Sequence, residues 1–472
     1  MINLYSAPVK LWIPNISLIL NILVMKKKLL AFSVCFISLF SCNNEMTNIS
    51  SRAQLCALSS SPEEIAIKVI SSQYGNSAFT KSVSSQVKST ETRFYSVKVP
   101  QEVQMLSNND AINTLSEQDI PVCFINYQDG YSIVSADPRI PVIFTHATKG
   151  TLADTLTNEG LDMVIKTIPF VCQKYLQEFY MQKKSDVRSN NDVVALANRI
   201  EEVRSVEDGY IVLREYEYLP EEITEYSPLL KTRWGQYQPF NGSVKTLCSN
   251  TSGRAPAGCG AIAMGQICNY HRYLGVGTYN WSILDNAEYT DTNSEAARFI
   301  SNIGLSIHMV YGCDGSTSTT SNTRAAFETY GYTCSSIING FDMTKAANAI
   351  AIDKCPVFVR GGKSGTVGHA WVMDGYRKVY QKIYVTEWSK YMAHAIPDLS
   401  DVNDVDEVLW ENLKYMPGTS FTTSHTIESV HCNWGQYGNS DGFCSVGHFI
   451  YNNSQGGKND YNSDMQMFIP RK

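Results

Sequence analysis

The chain has 472 residues, about three times the length of a typical domain, and this length predicts more than one folding unit. Hydrophobic residues make up 43% of the sequence, enough to build a large core, which excludes a wholly disordered protein. The 39 basic and 45 acidic residues give a net charge of −6 and a pI near 5.8. This balance argues against a nucleic-acid-binding protein, because such proteins normally present a basic face.

An export signal is predicted near the N-terminus, but it does not begin at Met1. Met25 is followed by three lysines, by an apolar run over 29–41 and by Cys42. Such a pattern is typical of a secretory signal, and the run is shorter than the roughly 20 residues that span a membrane. Residues 39–42 resemble a bacterial lipobox with Cys42 as the lipidated residue, and a plain signal peptide is the alternative. We therefore expect 1–42 to be an upstream segment and signal peptide, with translation starting at Met25.

This signal predicts an exported bacterial protein. It is either lipid-anchored through Cys42 at the outer membrane or cell surface, or secreted after processing. A membrane is expected as a partner only through that anchor.

Of the 13 cysteines, Cys35 and Cys42 leave with the signal, and the remaining 11 (13 − 2) are an odd number, so at least one thiol is unpaired. The spacings show no zinc pattern, so we predict no metal site.

The next segments predict a tether over 43–60 and a folded domain over 61–215. Ser61 fits an N-cap, Pro62 the first helical position, and two glutamates follow in the first turn, which predicts a helix to about Ser72. A polar linker is predicted from there to about residue 92. The other predicted elements of this domain are strands over 94–99, 122–127 and 131–135, and helices over 110–118, 161–183 and 191–206.

A second domain is predicted over 216–472, where glycine, tryptophan, asparagine and tyrosine become common. It begins with an exposed acidic linker over 221–225. Helices that come first in the chain and strands that come later indicate an α+β domain. The predicted helices cover 260–273, 295–310, 321–330 and 343–352, and the predicted strands cover 356–360, 369–373, 379–388, 428–433 and 442–451.

Cys259 is the first candidate for catalysis, because it lies between Gly258 and Gly260 at the start of a predicted helix. A thiol in this position faces the positive end of the helix dipole and unpaired backbone N–H groups, which favour the thiolate. The flanking glycines let a substrate backbone approach closely. A buried structural cysteine is the alternative, since free cysteines are commonly buried.

His369 is the candidate base among the eight histidines. A glycine-rich turn ending in Gly368 delivers it to the start of an apolar strand, and an imidazole near a helix-start thiol can take the thiol proton. The pair Asn433-Trp434 ends a later strand. The amide oxygen of Asn433 can accept a hydrogen bond from the imidazole, and the indole of Trp434 can shield that bond from water. For each residue, a strand position packed against its neighbours is the alternative.

Several segments form one pattern along the chain: 234–236 and 239–241, then 258–267 with Tyr270-His271, then 368–375, then 433–435 with 440–443. Together these segments resemble the streptopain family of papain-like cysteine peptidases. A shorter segment, 129–137, resembles the inhibitory propeptide of the same family.

The resemblance implies an α+β fold, in which a papain-like catalytic domain with a helical part and an antiparallel sheet part follows an α+β propeptide domain. It implies no cofactor. The expected partners are protein or peptide substrates and the chain's own propeptide, acting as an intramolecular inhibitor. The implied site residues are Cys259 as nucleophile, His369 as general base and acid, Asn433 orienting His369, Gln236 and the Cys259 N–H as oxyanion hole, and Trp434, Gly258 and Gly368 in support.

The spacing between His369 and Asn433 is 64 positions (433 − 369), longer than in the family. It predicts an insertion at about 389–426 that forms a loop or subdomain near the active site.

We expect an exported endopeptidase zymogen in which residues from about 60 to 215 cover the site until cleavage within 201–227. The alternatives are a catalytically silent surface lipoprotein that binds proteins, and a cell-wall peptide amidase that uses the same site.

Overall fold

The computed structural model describes twelve stretches of the chain. The predicted export segment over 1–42 and the tether over 43–60 lie outside them. None of the helices in the described part is long and apolar enough to cross a membrane. The stretches are 61–74, 87–100, 115–153, 158–182, 199–207, 210–249, 253–275, 277–287, 294–361, 368–392, 405–445 and 465–472.

In the N-terminal half of the described chain, each of two helices is followed by a run of strands. Its elements are α1 (Pro62–Tyr74), β1 (Val87–Pro100), β2 (Leu115–Tyr127), β3 (Tyr131–Ser135), β4 (Ile143–Ala147), α2 (Glu159–Gln182), β5 (Arg199–Glu207), β6 (Tyr210–Tyr218) and β7 (Glu222–Tyr226).

The C-terminal half begins with helices and continues with strands. Its elements are α3 (Cys259–His271), α4 (Trp281–Asp285), α5 (Ser294–Ser306), α6 (Thr320–Thr329), β8 (Thr333–Cys334), β9 (Ile338–Asn339), α7 (Met343–Ala351), β10 (Val357–Gly361), β11 (His369–Tyr391), α8 (Glu407–Leu413), β12 (Thr419–Asn433), β13 (Gly442–Cys444), β14 (Gln466–Phe468) and β15 (Pro470–Arg471).

One antiparallel sheet joins the two halves. Its main path runs β1-β2-β3-β4-β13-β12-β11-β10-β14-β9, and β6 and β7 both pair with β11, while β5 pairs with β6. The bridge between the halves is β4 against β13, where His146 lies opposite Phe443. The predicted α+β class, with a helical part and an antiparallel sheet part, is confirmed.

Helices cover both faces of the sheet, because successive strand residues point to opposite sides. Along β11, Ala370 and Val372 belong to the core around α3, α5 and α6. Trp371 and Met373 belong to the other core, which contains buried residues of α2 and α7. The start of β11 is therefore fixed from two sides, and this places its first residue rigidly beside α3.

Several predicted elements are confirmed with small shifts at their ends. They are the helices α1, α2, α3, α5, α6 and α7, and the strands β3 and β10. The strands predicted at 94–99, 122–127 and 428–433 are parts of the longer strands β1, β2 and β12. The strands predicted at 369–373 and 379–388 are one continuous strand, β11. The strand predicted over 442–451 is present as β13 over Gly442–Cys444, and its last residues, 446–451, lie outside the described residues.

Two predicted helices are wrong where the structure describes them. The segment 115–118, predicted as the end of a helix, belongs to β2, and the segment 199–206 belongs to β5. Pairing partners distant in sequence decide both cases, since β2 pairs with β1 and β5 pairs with β6 along their whole lengths. The polar linker predicted to reach residue 92 is also too long, because β1 begins at Val87.

The predicted insertion at 389–426 lies within the described residues except for 393–404. Its described residues form the end of β11, the helix α8 and the first part of β12, and β11 and β12 pair from Val372–Asn433 to Glu387–Thr419. This long hairpin extends the sheet at the end of β11 opposite to His369. Its tip packs on β6, with Trp410 and Leu413 among the buried residues. The predicted domain boundary at residue 215 falls inside β6.

Candidate active site

Cys259 is the first residue of α3, as predicted, and Gly258 forms the N-cap with a φ of 91°. This left-handed backbone strains any residue with a side chain, and a Cβ on Gly258 would lie 2.4 Å from Met309 Cε. Small residues such as Ala261 and Gly265 bury the helix between its neighbours. A glycine at 258 therefore lets the chain turn sharply into a helix that carries the thiol at its N-terminus.

His369 lies beside that thiol. It is the first residue of β11, is only 6% exposed and forms a side-chain hydrogen bond with Cys259. Burial acts to raise the pKa of the Cys259 thiol, but the hydrogen bond and charge of His369 and the backbone N–H groups of Ala370 and Gly260 outweigh it. The net effect lowers the pKa of Cys259, which favours the thiolate.

The second ring nitrogen of His369 is held by a backbone carbonyl. His369 Nε2 lies 2.9 Å from the carbonyl oxygen of Trp434. The imidazole is also stacked on the indole of Trp371, with ring centroids 6.1 Å apart and an interplanar angle of 14°. Trp434 packs on Trp371 in turn, with centroids 5.1 Å apart. The ring stacked beside the imidazole is therefore that of Trp371.

The predicted contact between Asn433 and His369 is not present. The Oδ1 of Asn433 accepts hydrogen bonds from Gln266 Nε2 at 3.0 Å and from the N–H of Gly435 at 3.2 Å. Its Nδ2 donates to the carbonyl of Thr232 at 2.9 Å. These three bonds direct the amide toward α3 and the segment before it. Asn433 therefore connects the sheet to the helical part through hydrogen bonds. The carbonyl that contacts the imidazole belongs to the neighbouring Trp434.

Trp434 is itself positioned by the segment that follows it. Its backbone N–H donates to Asp441 Oδ1 and its indole Nε1–H donates to the carbonyl of Ser440, both at 2.9 Å. Burial raises the pKa of Asp441 to about 7, against the opposing effects of His431 and the Trp434 N–H. Sequence reasoning gave no role to Trp371, Gln266 or Asp441. The only signal for Asp441 was its place in the 440–443 segment of the family resemblance.

Gln236 lies close to the nucleophile through its backbone. Its carbonyl accepts a hydrogen bond of 2.7 Å from the N–H of Ala257, two residues before Cys259. The side chain of Gln236 is half-buried. This contact brings the predicted oxyanion-hole residue next to the start of α3, and the donor role of its side chain stays a prediction.

A cavity of about 270 Å³ opens beside Cys259. No described residue of the predicted propeptide domain, 61–215, is among the described residues that line it. The expectation that this domain covers the site until cleavage stays a prediction. The lining residues are Cys259, Gly260, Ser316, Thr317, Ser318, Thr319, Thr320, Thr323, Phe358, Arg360, Gly368 and Ala370.

Cys259 is one of several free thiols. Cys248 and Cys313 form a disulfide, and the other eight cysteines in the described stretches are unpaired. Cys259 and Cys334 are half-buried, and the remaining six are buried. The expectation of an unpaired Cys259 is confirmed, although it is not alone. Within the described stretches, no group of three or more His, Cys, Asp or Glu residues is arranged to hold a metal ion.

Residues 234–391 match the model of the Peptidase C10 family. Among solved structures, the chain is similar to a fragment of prointerpain A from Prevotella intermedia, with 16% identity and a TM-score of 0.42 over 80% of this chain and 98% of that chain. It is also similar to the active wild-type interpain A cysteine protease of the same organism, with 19% identity and a TM-score of 0.32 over 52% and 94%. Nothing among the curated proteins matches the chain.

The family match spans both the start of the helix that carries Cys259 and the strand that begins at His369. These two residues form the thiol–imidazole hydrogen bond that a cysteine peptidase needs. The match and the resemblance of the motifs agree, so residues 234–391 are similar to the cysteine peptidases of the C10, or streptopain, family.

Proposed function

We propose that this protein is an exported cysteine endopeptidase, made as a zymogen, that hydrolyses peptide bonds in proteins. The observation that carries this proposal is the hydrogen bond between Cys259, at the N-terminus of α3, and His369, at the start of β11. The pair lies beside an open cavity, so a substrate can reach the thiol. A silent binding protein would need no such pair.

In the proposed reaction, His369 takes the proton of the Cys259 thiol, and the thiolate sulfur attacks the carbonyl carbon of the scissile peptide bond. The tetrahedral intermediate collapses as His369 gives the proton to the leaving amine, and an acyl-enzyme remains on Cys259. A water molecule, deprotonated by His369, then attacks the thioester and releases the carboxylic acid. The Trp434 carbonyl fixes the imidazole in an orientation that allows both proton transfers.

The negative charge on the intermediate needs donors close to the attacked carbonyl. We propose the backbone N–H of Cys259 and the side-chain N–H of Gln236 for this oxyanion hole. The Cys259 N–H is at the first turn of α3, where backbone donors have no partner inside the helix. Gln236 is held nearby by the bond from the Ala257 N–H. A preorganised donor of this kind is typically worth ~3–4 kcal/mol in the transition state.

The zymogen part of the proposal rests on contacts between the N-terminal region and the segment after Trp434. The N–H of Ser440 donates to the carbonyl of Lys149 at 3.0 Å, and β4 pairs with β13. Ser440 also accepts the bond from the Trp434 indole. We propose that residues of the 61–215 region inhibit the enzyme through this segment, which holds Trp434 and thereby the carbonyl acceptor for His369, rather than by filling the cavity beside Cys259.

Maturation requires cleavage between the two regions, and we propose that the cut falls at 220–228. Of the predicted 201–227 segment, β6 is largely buried and hydrogen-bonded on both sides. From residue 220 onward the side chains are mostly exposed, including all five of β7. Exposure favours cleavage because a protease must bind its substrate segment before it can cut.

We also propose export through the signal that begins at Met25, with Cys42 as the site of a lipid anchor. The support for this step is the sequence alone: three lysines, the apolar run over 29–41 and the lipobox-like residues 39–42. The disulfide between Cys248 and Cys313 agrees with an oxidising compartment.

Proteolysis by the purified protein tests the proposed activity. We expect the processed protein to degrade an unfolded protein substrate, and the Cys259→Ala variant to bind it without turnover. Cys334→Ala, which removes a second half-buried free thiol, is the matched control and should keep full activity. Binding without hydrolysis by the processed wild-type protein would contradict the proposal and favour a silent binding protein. Hydrolysis of cell-wall peptides but not of proteins would favour the amidase.

A further inference from the structure

The cavity beside Cys259 has a charged residue on a largely neutral wall. Arg360 lies on β10, directly opposite Ala370 of β11, and shares a strand face with Phe358. All three residues line the cavity. Phe358 and Ala370 belong to the core between the helices and the sheet. The Arg360 side chain therefore lies at the edge of that core, in the wall of the cavity.

Arg360 has the position of a ligand-binding group rather than of a structural ion pair. Its side chain is half-buried, and no described residue forms an ion pair or side-chain hydrogen bond with its guanidinium. Among the described residues that line the cavity, it is the one charged side chain. The chain segment that follows it, 362–367, contains no Asp or Glu in its sequence. A half-buried cation without a carboxylate attracts an anion, because desolvated charges are stabilised by partners.

The guanidinium lies close to the catalytic residues. A Cβ on Gly368 would lie 3.1 Å from Arg360 Nη2, and His369 is the next residue. Glycine at 368 therefore leaves room for the guanidinium beside the strand that delivers the imidazole. A side chain that reaches Arg360 belongs to a substrate residue close to the scissile bond.

The rest of the cavity suits a short acidic side chain. Phe358 and Ala370 give it an apolar floor for methylene groups. The opposite wall consists of hydroxyl residues from the 316–323 segment, and Thr317 is exposed there. Hydroxyl groups can donate to carboxylate oxygens, and a guanidinium binds a carboxylate through two parallel N–H donors.

We propose that this cavity is a specificity subsite that binds the side chain of an Asp or Glu residue of the substrate next to the scissile bond, with Arg360 as the group that selects it. The inference rests on the proposed peptidase function, since it concerns the substrate of the same site. It adds the chemical class of the preferred substrate residue. A long basic side chain is disfavoured at this position, because it would bring a second positive charge beside Arg360.

The test uses processed full-length enzyme and internally quenched peptides. Each peptide carries Glu, Gln or Lys at one of the three positions on either side of the scissile bond, and a neutral parent peptide serves as the reference. At one of these positions, we expect kcat/KM to be about tenfold or more higher for Glu than for Gln, which corresponds to about 1.4 kcal/mol. Raising the salt concentration should reduce this ratio in the wild-type enzyme.

Two variants at Arg360 and one matched control separate selection from folding. Arg360→Gln should lower the Glu:Gln ratio to about one, and Arg360→Glu should make Lys the preferred residue at that position. Arg298→Gln removes an exposed arginine of α5 and should keep the wild-type ratio. Cleavage of the neutral parent peptide shows that each variant is folded, and the salt dependence of the wild-type enzyme gives a readout that needs no variant.

Equal rates for Glu and Gln at all six positions, or a preference that persists in Arg360→Gln, would overturn the proposal. If the processed wild-type protein cleaves none of the peptides and no protein substrate, the proposed peptidase function fails first, and the subsite proposal fails with it. If the neutral parent peptide is cleaved without any preference for Glu, only the subsite proposal fails.

Discussion

The Nε2 atom of His369 lies 2.9 Å from the carbonyl oxygen of Trp434. This acceptor belongs to the backbone, so replacing the side chain of residue 434 does not remove it. Its direction depends instead on the two bonds that hold Trp434, from its N–H to Asp441 and from its indole to Ser440. The orientation of the catalytic imidazole is therefore set by a short segment that follows the strand.

Replacement of Asp441 tests this positioning. Asp441→Ala removes the acceptor of the Trp434 N–H, so we expect kcat to fall by about tenfold or more with little change in KM, since misplaced catalytic groups lose rate. Asp441→Asn keeps an acceptor oxygen and should restore most of the rate. Steady-state kinetics on a peptide substrate give both values.

The control for Asp441 is Asp353→Ala, which removes an exposed carboxylate paired with Arg471. It should leave kcat unchanged. An Asp441→Ala enzyme with wild-type kcat, or one that Asn fails to rescue, would show that the Trp434 carbonyl does not depend on Asp441.

Asn433 should behave as a structural residue. Asn433→Ala leaves Gln266 and the Gly435 N–H without their acceptor, and such a loss in a buried site costs about 1–3 kcal/mol. Gln266→Ala should cost a similar amount, and the double variant should cost less than the sum, because both residues form one bond. We expect measurable peptidase activity in both single variants, as His369 keeps its acceptor. Urea unfolding measures the loss of stability, and peptide hydrolysis measures the remaining peptidase activity.

The outcome for His369→Ala provides the comparison, since we expect it to lose peptidase activity entirely. Loss of activity in Asn433→Ala to the same extent, with wild-type stability, would restore the orienting role that the sequence suggested for Asn433. Additive costs of the two single variants would instead show that the bond between Asn433 and Gln266 contributes little.

His146 makes the contact between the N-terminal region and β13 sensitive to acid. Burial lowers the pKa of His146 to about 4, with a smaller contribution from the positive charge of Arg377. The ring lies 2.8 Å from Ser132 Oγ through Nδ1 and packs on Tyr74 at 4.2 Å. A native pKa below the usual 6.5 means that the unfolded chain binds the proton more tightly, so stability is present above pH 6.5 and is lost as the pH falls toward 4.

We therefore expect the precursor to be cut faster by an added protease at pH 4.5 than at pH 7, and His146→Gln to reduce that difference. The protease must have similar activity at both values. His308→Gln is the control for a histidine substitution, because His308 is exposed and lies outside β4 and β13. Equal acid sensitivity in His146→Gln and wild type would rule out His146 as the titrating group.

The ion pair between Arg214 of β6 and Glu387 of β11 should hold the two regions together after cleavage. Its atoms are 2.7 Å apart and its side chains are 5% and 3% exposed. After a cut at 220–228, β6 keeps nine residue pairs with β11, so we expect the two fragments to co-elute in gel filtration. Arg214→Ala removes the positive charge that pairs with the buried Glu387 carboxylate, and it should cost about 3–5 kcal/mol of stability.

The matched control is Arg471→Ala, which breaks an exposed ion pair and should cost at most about 1 kcal/mol. Chemical unfolding of the uncut protein compares the two variants. Fragments of the nicked wild-type protein that separate without denaturant would contradict the prediction. So would equal stabilities of Arg214→Ala and Arg471→Ala.

The sequence predicted the features that depend on local chemistry. Cys259 and His369 could be found because glycines beside a helix start and a strand start are visible in short segments. The role of Asn433 could not be predicted correctly, because the acceptor for His369 is a carbonyl group that every residue carries. Which carbonyl faces the imidazole depends on the register between β11 and β12.

Long-range pairing explains the other errors. Residues 115–118 and 199–206 have helix-like patterns, yet strands distant in sequence pair with them. The excess between His369 and Asn433 could be counted, but only the pairing of β11 with β12 and β6 shows that it extends the sheet. The sequence did not indicate a role for Arg360, because that role depends on the cavity that Arg360 lines.

The rate of alkylation of Cys259 at different pH values tests the central claim most directly. The claim is that His369 stabilises the Cys259 thiolate, and it predicts rapid alkylation of Cys259 well below pH 9, the ordinary pKa of the thiol. In His369→Ala, the rate at neutral pH should fall strongly and recover only as the pH approaches that value. The same pH profile in the wild-type and His369→Ala proteins would contradict the account.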